Sequence, residues 1–219
     1  MSRGPFDPGF ADLPAVLPIF PLPGALLLPG GKLPLNIFEQ RYLAMVRDAM
    51  RSDSRMIGMI QPREDEAAEP PPIYGTGCAG RIVAFSETDD GRYLIALNGV
   101  ARFQVVRELP TTTPYRQVEA DFAPYRADLE EAVAAAIDRD RLIKALKAYF
   151  TLESINADWD AIVEAPDDKL VTTLAMVCPF GNREKQALLE SPGLTERSQM
   201  MTALIEIAVL DNAGAAARH

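Results

Sequence analysis

The chain is poor in the residues that carry most hydrolytic and metal chemistry. It holds one histidine, two cysteines and one tryptophan in 219 residues. The histidine is His219, the last residue, so a Ser-His-Asp or Cys-His arrangement has no internal imidazole to use as its base. A metal site built on a histidine pair is excluded for the same reason. Cys78 and Cys178 are too few for a disulfide framework or a four-cysteine zinc site. With no secretory signal, they read as reduced thiols of a cytoplasmic protein. Positive charge is also scarce: 22 Lys+Arg stand against 31 Asp+Glu, a formal net charge of -9. Neither side of Pro124 is net basic, so binding to a phosphate backbone has no electrostatic drive and no nucleic-acid partner is expected. Arg41, Arg47, Arg51 and Arg55 are scattered by helical spacing beside Asp48 and Asp53. No stretch suits a membrane helix. Leu13 to Gly31 is uncharged, but Pro14, Pro18, Pro21, Pro23 and Pro29 break any helix there.

What remains is the balance of a globular chain, with 48% hydrophobic and 24% charged residues. The first half reads as strands and turns. Val16–Leu22, Ala25–Leu28 and Leu33–Phe38 are short apolar runs set as extended pieces between Pro-Gly signals. Tyr42, Leu43, Val46, Ala49 and Met50 fall at helical spacing and predict a helix over Glu39–Met50. Met56–Ile60 reads as a strand. Gln61–Pro72 holds four acids and three consecutive prolines, and reads as a solvated loop. Strands resume over Tyr74–Glu87, turn at Asp89-Asp90-Gly91, return over Arg92–Leu97, meet a turn or bulge at Asn98-Gly99, and continue over Val100–Leu109 and Tyr115–Ala123. After Pro124 the period becomes helical. Leu129, Val133, Ile137, Leu142, Leu146 and Phe150 predict one long helix over Asp128–Phe150. Asp158 is placed to cap a helix carrying Trp159, and further helices are predicted over Asp167–Val177, over Arg183–Leu189 with Asn182 as cap, and over Leu194–Leu210. Met45, Met50, Met56 and Met59, like Trp159, read first as packing residues. There is no internal repeat. The class is α+β, a β-rich part at 13–124 and a helical part at 125–212, with tails at 1–12 and 213–219.

Two glycine motifs invite a nucleotide reading and fail it. Gly75-Thr-Gly77-Cys-Ala-Gly80 has the G-x-G-x-x-G string, but the strand-like Arg81-Ile-Val-Ala-Phe85 follows where a helix must open. Its glycines are expected to allow curvature or close backbone approach. Gly30-Gly31-Lys32 lacks the glycine six positions before the lysine and the following Ser/Thr. Ser-Lys pairs and paired carboxylates are present in number, and no spacing singles one out. No cofactor is expected.

A composite of segments does resemble a known family. Leu17-Pro-Ile-Phe-Pro-Leu22, Leu28-Pro-Gly30 and Leu33-Pro-Leu-Asn-Ile-Phe-Glu-Gln-Arg-Tyr42 look like the opening of the Lon protease N-terminal, substrate-binding domain. Tyr74-Gly-Thr-Gly-Cys-Ala-Gly-Arg-Ile82, Asp89-Asp-Gly-Arg92, Leu97-Asn-Gly-Val-Ala-Arg-Phe103, Pro179-Phe180 and Glu184-Lys-Gln-Ala-Leu-Leu-Glu190 follow in that family's order. Asn36 stands where the family often carries histidine. The resemblance spans roughly 13–212. It implies a PUA-like, mostly antiparallel β-barrel followed by a C-terminal helical bundle. It also implies a stand-alone, non-catalytic protein, since no Walker motif or Ser-Lys protease module accompanies these segments.

The expected function is recognition of peptides or unfolded protein segments in a cleft between barrel and bundle. The surface expected to carry it is the Glu39-Arg41-Tyr42 corner with Arg81, against the plainer reading that Glu39 and Arg41 tether the helix to the barrel. An alternative is an adaptor or assembly partner of a protease or other complex, docking acidic helices such as Asp128–Asp140 on a basic partner. An enzyme of unrelated chemistry, or RNA binding by analogy with other PUA-like barrels, ranks below both.

Overall fold

Apolar runs bounded by turn residues become strands, and the register of those strands positions everything else. A computed structural model describes residues 7–63, 68, 70–130 and 136–216. Six strands form one mixed sheet: β1 (Val16–Pro21), β2 (Lys32–Ile37), β3 (Met56–Ile60), β4 (Thr76–Glu87), β5 (Tyr93–Leu109) and β6 (Gln117–Asp121). Their order is β2-β5-β4-β3-β1-β6, and β6 pairs again with β5. All pairings are antiparallel except β1 with β3. The sheet therefore curls back on itself through the two ends of the long β5. It is α+β, as expected, but not a closed barrel, and among the described residues β2 pairs with β5 alone, at an edge of the sheet. Gly99 donates its N–H to the Gly31 carbonyl at 2.8 Å, which sets the pairing parity. Leu33, Leu35 and Ile37 then bond to β5, while the main-chain groups of Lys32, Pro34 and Asn36 face outward. Pro34 has no N–H to offer, so it blunts this edge against unspecific strand addition.

The turn at Asp89-Asp90-Gly91 forms as predicted. Gly91 takes φ +78°, and Thr88 and Arg92 close the loop by a 3.0 Å backbone bond. Asn98-Gly99 is a bulge inside a continuous β5, not a turn between two strands: Ala79 faces Ala101 while Gly80 faces Gly99. Ala25–Leu28 is not a strand. Leu26, Leu27 and Leu28 are buried in a loop, beneath the sheet's outer face.

Helix α1 (Gln40–Arg51) follows the predicted spacing, burying Tyr42, Leu43, Met45, Val46 and Ala49. The second half supplies α2 (Arg139–Leu152), α3 (Trp159–Glu164), α4 (Asp167–Val177), α5 (Asn182–Glu190) and α6 (Leu194–Ala216). The predicted helix over Asp128–Phe150 is corrected at its start. Residues 123–129 form a 3-10 stretch that stays with the sheet, and α2 begins at Arg139, where Asp138 accepts from the Arg141 N–H at 3.1 Å. Val133, part of that predicted stripe, lies outside the described residues. Within the expected N-terminal tail, Phe10–Asp12 forms a 3-10 turn, and the Arg126 guanidinium sits 4.7 Å above the Phe10 ring. At its other end α6 continues past the predicted Leu210.

Two apolar clusters result. One fills the inside of the curled sheet, with Leu17, Ile19, Met56, Phe103, Val118, Phe122 and Leu129. The other lies between the outer face of the sheet, α1 and the helices, and joins Leu27, Met45, Leu97, Tyr149, Phe180, Leu188 and Met201. Met45, Met56 and Met59 are all buried, as their packing reading required. Trp159 lies half-buried, against Phe150 at 5.6 Å.

Candidate functional site

The seam between sheet and helices is held by polar ties, most of them from α5. Gly24, at φ +72°, is clasped on both sides: its N–H donates to Asn182 Oδ1 at 2.7 Å and its carbonyl accepts from Lys185 Nζ at 2.6 Å. Asn182 is thus not the helix cap predicted for it. That place belongs to Gly181, whose N–H donates to Glu184 Oε2 at 2.7 Å. Burial lowers the Lys185 pKa below the ordinary lysine value. Gln61 Nε2 donates to the Asn182 carbonyl and to Gln186 Oε1, and Gln186 Nε2 donates to the Thr76 carbonyl.

The firmest tie was not anticipated. Arg102 on β5 makes a two-pronged ion pair with Asp128, Nε to Oδ2 at 2.9 Å and Nη2 to Oδ1 at 2.7 Å, with side chains only 4% and 9% exposed. It also donates to the carbonyls of Leu189 in the last turn of α5 and of Ser191 and Pro192 just beyond it, and its guanidinium covers the Tyr125 ring at 4.6 Å. Arg197 on α6 donates to the Leu188 carbonyl at 2.9 Å. Its pKa is pushed down to about 10, first by burial and then by the Arg102 charge. Asp128 is therefore committed to the interior and is not available for docking; of the expected acidic helix Asp128–Asp140, residues 131–135 lie outside the described residues, and helix α2 starts at Arg139.

Above this floor opens a cleft of about 940 Å³. One wall carries Gly30 and Gly31 from the turn before β2, with Lys32, Asn98 and Gly99 of the sheet; the other carries Thr172, Thr173 and Met176 of α4. The glycines let the walls approach: a Cβ on Gly31 would lie 2.3 Å from Met176 Sδ, and one on Gly99 only 2.0 Å from the Leu28 carbonyl oxygen. In the other glycine string, a Cβ on Gly77 would lie 2.6 Å from the Phe103 ring, which is the close-approach role predicted for it.

From the cleft, strands β2, β5 and β4 run out as an arm. Register places Lys32, Asn98 and Arg81 in one row, Pro34, Ala96 and Ala84 in the next, and Asn36, Leu94 and Ser86 in the third. Directly opposed residues share a face. None in these rows is acidic. Pro34, Asn36, Ala84, Ser86 and Leu94 are exposed, Leu94 at 45%, and Phe38 just beyond the ladder is 64% exposed.

The expected site residues fall at the two ends of this face. Glu39, Arg41 and Tyr42 lie together after Phe38. Arg41 pairs with Glu39 at 2.8 Å and stacks 4.6 Å over the Tyr42 ring. Tyr42 itself is buried against Phe20, with ring centroids 4.1 Å apart. Arg81 lies in the row of Lys32, about 17 Å along β2 from Ile37 at the strand rise of about 3.3 Å per residue. The four do not form one cluster; they bracket the arm.

Burial favours the neutral forms of both cysteines and of Tyr115 and Tyr149. Burial drives the Cys78 thiol strongly upward and pushes Cys178 up to about 12, so neither is a ready thiolate. Burial, then the hydrogen bond to Asp48, pushes Tyr115 up to about 12, and burial takes Tyr149 to about 12 as well. These acids ionise more readily unfolded, at the ordinary 9.0 for cysteine and 10.0 for tyrosine, so unfolding releases protons at high pH. Their contribution is complete below about pH 9 and is lost as the pH climbs toward about 12. Urea titrations at about pH 8 and about pH 11 are expected to show a lower midpoint at the higher pH, with the drop reduced in Tyr115→Phe. Among the described residues, no three His, Cys, Asp or Glu side chains gather as a metal site, and no helix is long and apolar enough to cross a membrane.

Residues 16–206 match the family model of the ATP-dependent protease La (LON) substrate-binding domain. Lon protease 2 of Myxococcus xanthus is 30% identical over 198 residues, covering 89% of this chain and 24% of that protein. Lon protease of Anaeromyxobacter dehalogenans is 30% identical over 200 residues, covering 89% and 23%. The chain thus spans about a quarter of the length of these relatives. Among solved structures, a Lon N-terminal domain protein from Xanthomonas campestris superposes with a TM-score of 0.61 at 24% identity, covering 86% of this chain and 97% of that one. The N-terminal domain of a Mycobacterium avium complex Lon protease superposes at 0.62 with 19% identity, covering 87% and 98%. The match over nearly the whole described fold leads to one conclusion: the chain belongs to the Lon substrate-binding domain family.

Proposed function

We propose that this chain holds extended, apolar polypeptide segments on the β2–β5–β4 arm and feeds their ends toward the cleft, without making or breaking their covalent bonds. The observation that carries this reading is the acid-free arm face with Leu94 and Phe38 exposed on a chain of net charge -9. An unfolded segment laid there removes apolar surface from water on both partners. Pro34 interrupts the outward hydrogen-bonding edge of β2, so side-chain contact outweighs strand addition in this binding. Ordering the client on binding keeps affinity modest. In this reading Glu39 and Arg41 form the polar rim at one end of the arm, Arg81 and Lys32 the rim at the other, and Tyr42 anchors α1 beneath it.

The test is fluorescence anisotropy with a labelled, permanently unfolded polypeptide. Leu94→Glu and Phe38→Ser together are expected to weaken binding about tenfold or more, because each removes or charges an exposed apolar contact. Both sites are solvent-facing, so the unfolding free energy is expected to stay within about 0.5 kcal/mol of the parent. Unchanged affinity in the folded double variant removes the arm from the binding surface.

A further inference from the structure

The floor of the cleft holds more buried positive charge than its own buried carboxylate balances. Arg102 and Arg197 are 4% and 7% exposed, and both line the cleft. Their guanidinium groups meet at one acceptor, the Ser191 carbonyl, 2.6 Å from Arg102 Nη1 and 3.4 Å from Arg197 Nη2. The carboxylate beside them is Asp128, and Arg102 engages both of its oxygens. Arg197 has only carbonyl partners, Leu188 at Nε and Ser191 at Nη2. Its Nη1 has no hydrogen-bond partner among the described residues. Nor is that atom sealed from the cleft, since among these residues the side-chain polar atom both buried and unbonded is Gln61 Oε1. Two buried cations thus share one buried anion, an arrangement that costs free energy until a second anion completes it.

The first turn of α6 adds donors at the same place. Leu194, Thr195 and Glu196 line the cleft, and among the described residues nothing accepts from their N–H groups. The first bonded amide is that of Arg197, to the Gly193 carbonyl at 3.1 Å. Gly193 has no side chain to cap the three before it. Helix α6 is 23 residues long, and its N-terminus brings the positive end of its dipole to this floor. The other acids lining the cleft lie nearer water: Asp7, Glu130 and Glu196 are exposed and Asp168 is half-buried. Solvent screens them, while the two guanidinium groups act where the dielectric is low.

We propose that this floor binds the C-terminal carboxylate of the polypeptide held on the arm, an assignment that rests on the arm reading and gives the cleft its ligand. The arm selects apolar segments, and an apolar segment has one carboxylate it cannot lack, the one at its C-terminus. A chain end also enters a floored cleft end-on, which a through-running chain does not. Arg197 Nη1 and the first-turn N–H groups are donors suited to a carboxylate, and Pro29, Val100 and Val177 line the same cleft for the last apolar side chains. The carboxylate supplies the second anion, so Arg102 and Arg197 each gain a partner of their own.

Fluorescence anisotropy with one unfolded sequence, labelled at its N-terminus and ending in either a free acid or an amide, tests this. The parent is expected to bind the acid about tenfold tighter. Arg197→Gln is expected to bring acid and amide within about twofold of each other. The comparison on the parent needs no variant, so it decides even if that substitution unfolds the chain. An amidated client ending in glutamate is expected to bind like the plain amide. Leu94→Glu with Phe38→Ser is expected to weaken acid and amide alike, because it acts on the arm. Equal binding of acid and amide by the parent would overturn the inference and leave the arm reading standing. A folded Arg197→Gln that keeps the full gap would move the carboxylate off this floor, and regained affinity in the glutamate client would assign it to a side chain; either overturns the proposal. Binding of neither form would remove the arm reading and this inference with it.

Discussion

Asp128→Ala is expected to cost about 3–5 kcal/mol of folding stability, since removing one partner of a buried ion pair leaves the other charge uncompensated. Arg102 would keep its bonds to the Leu189, Ser191 and Pro192 carbonyls but lose both carboxylate contacts. Its neighbour Arg197, whose charge Asp128 also balances, would face it with no anion between them. The Asp128 carboxylate further accepts the Arg102 backbone N–H at 2.9 Å, so the substitution orphans a main-chain donor as well. For a chain of this size the loss corresponds to a fall of about 10 °C in Tm. Replacing both partners by apolar residues, Arg102→Met with Asp128→Leu, is expected to cost less than Asp128→Ala alone, because no charge is left stranded. Urea unfolding of Arg102→Met, of Asp128→Leu and of the double variant gives the coupling directly. Equal, small losses in all three would mean that the pair is solvated.

Gly99→Ala is the second large effect, expected at about 3 kcal/mol or more. The added methyl would sit 2.0 Å from the Leu28 carbonyl oxygen and 2.8 Å from its carbon. Neither atom is a flexible side-chain end. Leu28 is held in place because its carbonyl accepts from the Gly31 N–H at 2.9 Å, while Gly30 and Gly31 are each bonded to Gly99. To make room, the Leu26–Leu28 loop must leave the core. Gly91→Ala is the contrasting case. Nothing lies within 4 Å of its Cβ position, so only the positive φ is penalised, at about 1 kcal/mol. Equilibrium unfolding of the two variants separates collision from conformational strain, and equal losses would argue against the tight approach at the cleft rim.

The fold was legible wherever one local rule decided the outcome. Helix α1 could be read because its apolar residues keep one period from Tyr42 to Ala49. The β4–β5 hairpin could be read because Asp-Gly supplies the positive φ its turn requires. The predicted start of α2 failed because Leu129 has helical spacing to Val133 yet packs inside the sheet with Phe103 and Val118. Tertiary burial overrode a local pattern there. Asn182 looked like a cap by residue type, but a partner distant in sequence, the Gly24 N–H, claims its side chain. Arg102 left one faint signal, an arginine at the centre of Val100-Ala101-Arg102-Phe103, and its aspartate is invisible to any period. The exposure of Leu94 was equally hidden. Tyr93-Leu94-Ile95-Ala96-Leu97 is apolar throughout, so nothing in the string tells the covered face from the open one. Of the expected site residues, Glu39, Arg41 and Tyr42 are brought together by being consecutive on the chain, and only register separates Arg81 from them.

The most direct measurement is hydrogen exchange by mass spectrometry during titration with an unfolded polypeptide, with the client's intact mass read from the same samples. Slowed exchange confined to β2, β5 and β4 and the cleft rim at Gly30–Lys32, with the client's mass unchanged, is the result that supports a holding surface. Client fragments appearing over time, or saturation without slowed exchange anywhere on the arm, would contradict it.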